Sequence, residues 1–228
     1  MSRYLEVPFQ DDPFRLFQAL DQLYPKAFVY VAELEGEIWA AATPELFLNR
    51  DKQEVQTYAL AGTLPVDSIE PWNEKTKHEQ QIVTDYISKL WAEEGISPIQ
   101  CDGPNTHEAG AVKHLLTMLR GQSPINWSAS RLVQRMHPTP AVCGEPLLES
   151  QKWIEQHEGY DRSFYTGVVG SISPENWKLF VNLRCLRIKN NIARIYVGGG
   201  LTAESELQSE WRETEHKSRT LLSVMENL

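Results

Sequence analysis

Apolar positions along the chain alternate between two periods. From Pro13 to Tyr24, Leu16, Leu20 and Leu23 recur at i, i+4 and i+7, with Phe17 and Tyr24 beside them, which predicts a helix. Asp12 stands where an N-cap belongs, and Pro13 at the first helical position. The period then shortens. AFVYVAEL predicts a strand, EG a turn, EIWAAATPELFLNR a pair of strands, and VQTYALAGT (55–63) another strand. Between Asn73 and Glu94 it lengthens again, and Ile82, Tyr86, Leu90 and Trp91 mark the apolar face of a long helix. SPIQCDGPNTHEAGAVKHLLTMLRG mixes a turn with strand-like pieces. SASRLVQRM predicts a helix stopped by Pro138 and Pro140, and LLESQKWIEQHEGY predicts the next. The stretch from Phe164 to Gly200 predicts three strands joined by tight turns, with KNN as a hairpin signal. A last helix is predicted over 203–225. Hairpins dominate the strand pairing, so the class is α+β with large, mostly antiparallel mixed sheets rather than a doubly wound parallel one. No internal linker interrupts the pattern, and 1–228 reads as one domain.

Composition narrows the partners. The 228 residues are 41% hydrophobic and 23% charged, an ordinary globular balance. No apolar run approaches the length of a membrane span, and the N-terminus has no apolar signal core. A formal net charge of -9 argues against a nucleic-acid partner, although a local basic cluster can still hold a small anion. Cys101, Cys143 and Cys185 are odd in number and widely spaced, with no CxxC pair. That fits a reducing, cytoplasmic setting and offers no structural zinc site.

Several residues can carry chemistry. In EWRETEHK, Glu210, Glu213 and Lys217 fall at i, i+3 and i+7 and share a helix face. Two such carboxylates can coordinate Mg2+, and a plain Glu213–Lys217 salt bridge accounts for the same spacing. Three glycines, Gly198 to Gly200, end the strand before that helix. Close approach of a ligand to bare backbone is one reason for glycines there. ALAGT repeats the theme with Gly62 and Thr63, where a carboxylate-binding backbone and an ordinary turn both fit. Glu79 sits early in the long helix, where a carboxylate also favours the helix dipole. Arg184 lies in the apolar stretch NLRCLRI, with Arg187 on the other side of the strand. A buried arginine needs an anion, either a substrate carboxylate or an internal acid. His114 in KHLLT fits a satisfied core histidine and a ligand donor alike.

In chain order, ATPELFL, ALAGT, KHEQQIV, KHLLT, HPTPAVCGEP, RSFYTGVVG, LRCLRI, YVGGG and EWRETEHK resemble the chorismate-binding domain of the chorismate-utilising enzymes, over essentially the whole chain. The resemblance implies the fold of anthranilate synthase component I and aminodeoxychorismate synthase, a two-layer β core with helices packed outside. HPTPAVCGEP is similar to isochorismate synthases, where anthranilate and aminodeoxychorismate synthases carry a segment like FPAGTxSGAP. Ala61 stands where aminodeoxychorismate synthases tend to carry a lysine nucleophile, and KHEQQIV lacks the AEHxMLVDLxRND pattern of anthranilate synthases. The implied activity is Mg2+-dependent conversion of chorismate to isochorismate, adding water at C2 and losing the C4 hydroxyl. The implied state is a monomer or weak dimer with no glutamine amidotransferase partner.

Carried over motif by motif, Glu45 resembles the general acid that protonates the departing C4 hydroxyl, with a pKa that burial between strands would raise. Glu79 and Glu213 resemble the Mg2+ ligands, and Glu210 a supporting carboxylate. Gly62, Thr63 and Gly198 match substrate contacts at strand ends. Arg184 and Lys217 match the side chains that hold substrate carboxylates. Tyr165 and His114 line the same pocket, and Ala141 and Val142 match its apolar wall. The pattern departs at one point. The family's water-activating lysine belongs to a strand segment like K-x-x-L-S-R, and this chain opens Met1-Ser2-Arg3, at the S-R end of it. Lys26 lies in a different, loop-like context. The resemblance therefore implies that the N-terminal part of the family domain is missing here. It leaves two expectations, the catalytic part of a longer enzyme and a chain that binds chorismate without converting it.

Overall fold

The computed structural model describes residues 1–109, 112–125 and 127–228, apart from the side chains at 63, 109, 112 and 129. In chain order the elements are β1 (Ser2–Pro8), α1 (Pro13–Leu23), β2 (Phe28–Leu34), β3 (Glu37–Thr43), β4 (Leu46–Asp51) and β5 (Glu54–Pro65). Then come α2 (Glu74–Glu93), β6 (Gln100–Ala109), β7 (Val112–Gln122), α3 (Ala129–Met136) and α4 (Leu147–His157). The chain closes with β8 (Val168–Ile172), β9 (Asn176–Val181), β10 (Cys185–Lys189), β11 (Ile192–Gly198) and α5 (Leu207–Met225). Every sheet pairing among the described residues is antiparallel. The mixed α+β class with antiparallel sheets is thus the observed one.

The chain divides into two compact units. The first comprises Met1–Pro44, His157–Thr166 and Asn182–Leu228. Its five strands run in the order β1-β11-β10-β3-β2. Successive β3 residues face opposite sides, and both sides are buried. Ala40 and Ala42 join Leu16 and Leu20 of α1 and Leu221 and Val224 of α5 in one core. Trp39 and Ala41 join Tyr165, Cys185 and Tyr196 in another. That double burial is why EIWAAAT reads as a continuous apolar run. Helix α1 starts as predicted, with the Phe14 N–H donating to the Asp12 carboxylate at 2.9 Å. Leu23, predicted on its buried face, is instead 55% exposed, and Tyr24 packs against the core in its place. The turns at Glu35-Gly36 and Asn190-Asn191 place both residues at positive φ, the type I′ geometry that the hairpin signals call for.

The second unit comprises Glu45–Gln156 and Gly167–Val181, with a six-stranded sheet ordered β6-β7-β5-β4-β9-β8. The strand-like pieces around residues 100–122 form the β6–β7 hairpin. The stretch from Phe164 to Gly200 holds four strands rather than three, and they fall in different units, β8–β9 here and β10–β11 in the first. Helix α2 packs on β5 and β7. Its buried residues are Gln80, Val83, Thr84, Ile87, Leu90 and Trp91. The predicted face through Ile82 and Tyr86 is therefore rotated, because two polar residues occupy the buried stripe. Arg184 is also displaced from its predicted strand. It occupies a bend just before β10 with φ 47°, and its carbonyl accepts from the Ala42 N–H at 3.2 Å.

Candidate active site

In the first unit a compact polar group forms where β11 meets α5. Lys217 Nζ donates to the Gly198 carbonyl at 2.9 Å and pairs with Glu213 Oε1 at 2.6 Å. The plain i,i+4 salt bridge weighed from the sequence is therefore formed. Glu210 accepts from the Ser205 hydroxyl at 2.8 Å, and its other oxygen would lie 3.6 Å from a Cβ at Gly199. A Cβ at Gly198 would fall 2.8 Å from the Tyr165 hydroxyl and 2.9 Å from the Met1 carbonyl. Gly198 is thus required by the tyrosine packed on it. The glycine backbone is not bare: Gly199 exchanges hydrogen bonds with Met1, 3.0 Å in each direction, which extends the β1–β11 ladder.

Tyr165 stands at one end of an aromatic stack. Its ring lies 5.4 Å from Tyr196, which stacks on Trp39 at 5.5 Å. Burial pushes its phenol well above the usual range; Cys185 and Tyr160 add to this, and the charges of Arg162 and Arg184 oppose it. The phenol is therefore a neutral hydrogen-bonding group at physiological pH. The Arg184 charge acts on Tyr165, and the Arg184 backbone lies outside the strand.

In the second unit the group centres on a bulge in β5. The β5–β7 register shifts between Ala61 and Leu64, and Gly62 within it has φ 67°. A Cβ at Gly62 would lie 2.4 Å from Thr76 Cγ2 and 3.0 Å from the Trp72 ring. Both the left-handed backbone and the close approach of the α2 end require glycine here. His114 is 2% exposed, and its Nδ1 lies 2.8 Å from the Gly62 carbonyl. The carbonyl can only accept, so Nδ1 carries the proton; a neutral ring then presents Nε2 as an acceptor. This is the satisfied-histidine arrangement, joining two predicted residues. Glu79 on α2 pairs with Lys75 at 3.2 Å and keeps 22% of its side-chain surface exposed. Glu45 is 9% exposed, and its carbonyl accepts from the Val181 N–H at 3.0 Å. Ala141 and Val142 lie in the turn after α3, Ala141 exposed and Val142 half-buried. Thr63 falls in β5, and its side chain lies outside the described residues.

The structure thus brings together Gly198, Glu210, Glu213, Lys217 and Tyr165 in one unit, and Gly62 and His114 in the other. The sequence reading missed the residues that hold them. Arg3 Nε donates to Thr214 Oγ1 at 2.9 Å and its guanidinium lies 4.1 Å from the Trp211 ring centre, on either side of Glu213 in sequence. Gln80, 1% exposed, donates from Nε2 to the Thr84 and Thr117 hydroxyls. Its signal was available as the spacing 80, 83, 84, 87, 91, had polar residues been admitted to the stripe.

Among the described residues no three His, Cys, Asp or Glu side chains are grouped closely enough to hold a metal ion. Nor is any helix among them long and apolar enough to cross a membrane.

Comparison with known proteins gives a consistent picture. The sequence profile described as chorismate binding enzyme matches residues 1–226. The isochorismate synthase MenF of Bacillus subtilis is 29% identical over 239 residues, 99% of this chain and 50% of that protein. The solved structure of DhbC from Bacillus anthracis, described as a 2,3-dihydroxybenzoate-specific isochorismate synthase, matches with a TM-score of 0.91 at 28% identity. That match covers 99% of this chain and 65% of DhbC. Anthranilate synthase component 1 of Saccharolobus solfataricus is 26% identical over 99% of this chain and 56% of its own length. The chain spans about half the length of these curated relatives.

Proposed function

Because the chain belongs to the family of chorismate binding enzymes, we propose that it carries substrate-site residues of an isochorismate synthase, converting chorismate to isochorismate with Mg2+. One observation carries the reading. An ammonium and two carboxylates converge on a side-chain-free strand end: Lys217 on Gly198 and Glu213, with Glu210 beside Gly199. Such a group offers an ammonium to a small anion and carboxylate oxygens to a divalent cation.

Taken unit by unit, the carboxylates that would serve Mg2+ are Glu210 and Glu213 on α5 in the first and Glu79 on α2 in the second. Their donors fit it: hard carboxylate oxygens, with Glu79 and Glu213 only partly exposed at 22% and 29%. A cation that takes one or two carboxylates and fills its shell with water and an anionic substrate needs no ready-made cage of three. When bound, it supplies Lewis acidity toward a substrate carboxylate.

The chain's own residues take the remaining roles. Lys217 and Arg184 hold substrate carboxylates. Gly62 and Gly198, with Thr63 beside the first, offer substrate contacts at strand ends. Tyr165 in the first unit, and His114 with the apolar Ala141 and Val142 in the second, are further substrate-contact residues. Glu45, largely out of water, gives its proton to the C4 hydroxyl, which leaves as water; the water adding at C2 gives up one proton to a base, the role the lysine of a K-x-x-L segment would fill, so no net proton is consumed.

The test is incubation of the protein with chorismate and Mg2+, with isochorismate resolved by chromatography. A chain extended upstream to carry a K-x-x-L segment is assayed beside it. Isochorismate from either supports the reading; none from both overturns it. The relative in Saccharolobus solfataricus favours a second reading, an ammonia-using anthranilate synthase, which the same assay detects as ammonia-dependent anthranilate.

A further inference from the structure

We propose that Gln80 is a positioning residue that sets the rotation of α2 on its sheet and thereby aims the Glu79 carboxylate. The inference rests on Glu79 being a Mg2+ ligand, as proposed above. The buried stripe of α2 is apolar at Val83, Ile87, Leu90 and Trp91 and polar at Gln80 and Thr84. Apolar contact is non-directional, so a wholly apolar stripe would pack in several rotations. A buried amide has no such latitude, because leaving it unpaired is costly.

Gln80 Nε2 donates to Thr84 Oγ1 at 2.8 Å and to Thr117 Oγ1 at 2.5 Å. Thr84 in turn donates to the Gln80 carbonyl at 3.1 Å. Thr117 is 2% exposed and sits opposite Ala59 in the β5–β7 pairing. From the other side it is confined by β6, where a Cβ at Gly103 would come within 2.9 Å of Thr117 Oγ1. The acceptor is therefore fixed by three strands.

A one-residue slip turns a helix by about 100° and would deliver Glu79 or Gln81 to Thr117 instead. Only the observed rotation pairs Gln80 and leaves Glu79 on the partly exposed side. A second anchor lies three residues before Glu79. Thr76 covers Gly62, and Trp72 Nε1 donates to Thr106 Oγ1 at 2.9 Å. Glu79 is thus held between contacts at 76 and 80.

The test uses Gln80→Met, which keeps length without the amide, Thr117→Val, which removes the acceptor, and Thr117→Ser, which restores it. Mg2+ is titrated into the full chain with saturating chorismate by calorimetry. Hydrogen exchange over residues 74–80 and the thermal midpoint are measured alongside. The expected result is Mg2+ affinity about tenfold or more weaker in Gln80→Met and Thr117→Val, with faster exchange over 74–80 and recovery in Thr117→Ser. Wild-type Mg2+ affinity in Gln80→Met and Thr117→Val, with only a lowered midpoint, reduces Gln80 to a structural residue and overturns the inference. A Glu79→Gln control separates the two levels. If it binds Mg2+ like the wild type, the reading of Glu79 falls and the inference with it; if it loses binding while Gln80→Met does not, the inference alone falls.

Discussion

Lys217 Nζ lies 2.9 Å from the Gly198 carbonyl and 2.6 Å from Glu213 Oε1, so one ammonium ties the end of β11 to the carboxylate face of α5. Both charged side chains are partly buried, 15% and 29% exposed, which limits solvent screening without removing it. Replacing Lys217 with Met keeps the aliphatic stem and removes the charge. The expected stability loss is about 1 kcal/mol, the scale of one partly screened pair with a hydrogen bond. Chorismate affinity should fall further, by tenfold or more, since the same ammonium is assigned a substrate carboxylate. Thermal denaturation and calorimetry on one variant separate the two effects. A lowered midpoint with unchanged chorismate affinity would leave Lys217 as a strap alone.

The fit of Tyr165 against Gly198 gives a steric prediction. An alanine at 198 places its methyl 2.8 Å from the Tyr165 hydroxyl and 2.9 Å from the Met1 carbonyl. Overpacking of this kind costs about 1–3 kcal/mol. Tyr165→Phe removes one of the two obstructing oxygens, so the Gly198→Ala/Tyr165→Phe double variant should recover part of the loss. A double-mutant cycle by urea denaturation measures the coupling. Strictly additive losses would mean that the two residues do not press on each other.

Features carried by local chemistry were legible in the sequence. The Asp12 cap, the EG turn and the KNN turn need nothing beyond a side-chain oxygen or a pair of residues tolerant of positive φ. Features that depend on what lies opposite were not. The buried face of α2 was legible at Leu90 and Trp91 but misplaced at Ile82 and Tyr86, because Gln80 and Thr84 satisfy each other and Thr117, and no spacing rule counts a satisfied polar residue as core. Arg184 was assigned to a strand because its neighbours are apolar, whereas its backbone turns left-handed at φ 47°. The grouping of Lys217 with Gly198 and of His114 with Gly62 joins residues on different elements, which periodicity along one element cannot reveal. The ordered motifs pointed to these residues as candidates, and only the folded chain shows what each one touches.

Arg3 bridges β1 to α5 through shape as much as charge. Its Nε donates to Thr214 Oγ1 at 2.9 Å while the guanidinium plane lies 4.1 Å from the Trp211 ring centre. A lysine has the charge but neither the planar stacking surface nor the directed Nε–H. Arg3→Lys should therefore destabilise nearly as much as Arg3→Met, by about 1 kcal/mol, and Trp211 fluorescence should change in both. Full retention of stability in Arg3→Lys would show that charge alone matters.

Glu158 and Arg162 form a two-pronged pair, Nε to Oε2 at 2.7 Å and Nη2 to Oε1 at 2.5 Å, with the carboxylate only 1% exposed. Burial by itself would raise the Glu158 pKa, but the hydrogen bond and charge of Arg162, helped by Ser2 and the N-terminal ammonium, outweigh it and hold the carboxyl below its usual range. Arg162 is protonated throughout, so the pH dependence of the pair belongs to Glu158. A carboxyl depressed on folding adds stability that is fully present above the unfolded pKa of about 4.3 and is lost as pH falls through the lower folded value. Glu158→Gln leaves a largely buried guanidinium without its counter-charge and should cost about 3–5 kcal/mol at neutral pH. The gap in thermal midpoint between wild type and variant should then narrow as the pH is lowered through the carboxylate range. A gap that stays constant from neutral pH to about pH 3, well below the unfolded carboxylate value, would contradict the depressed pKa.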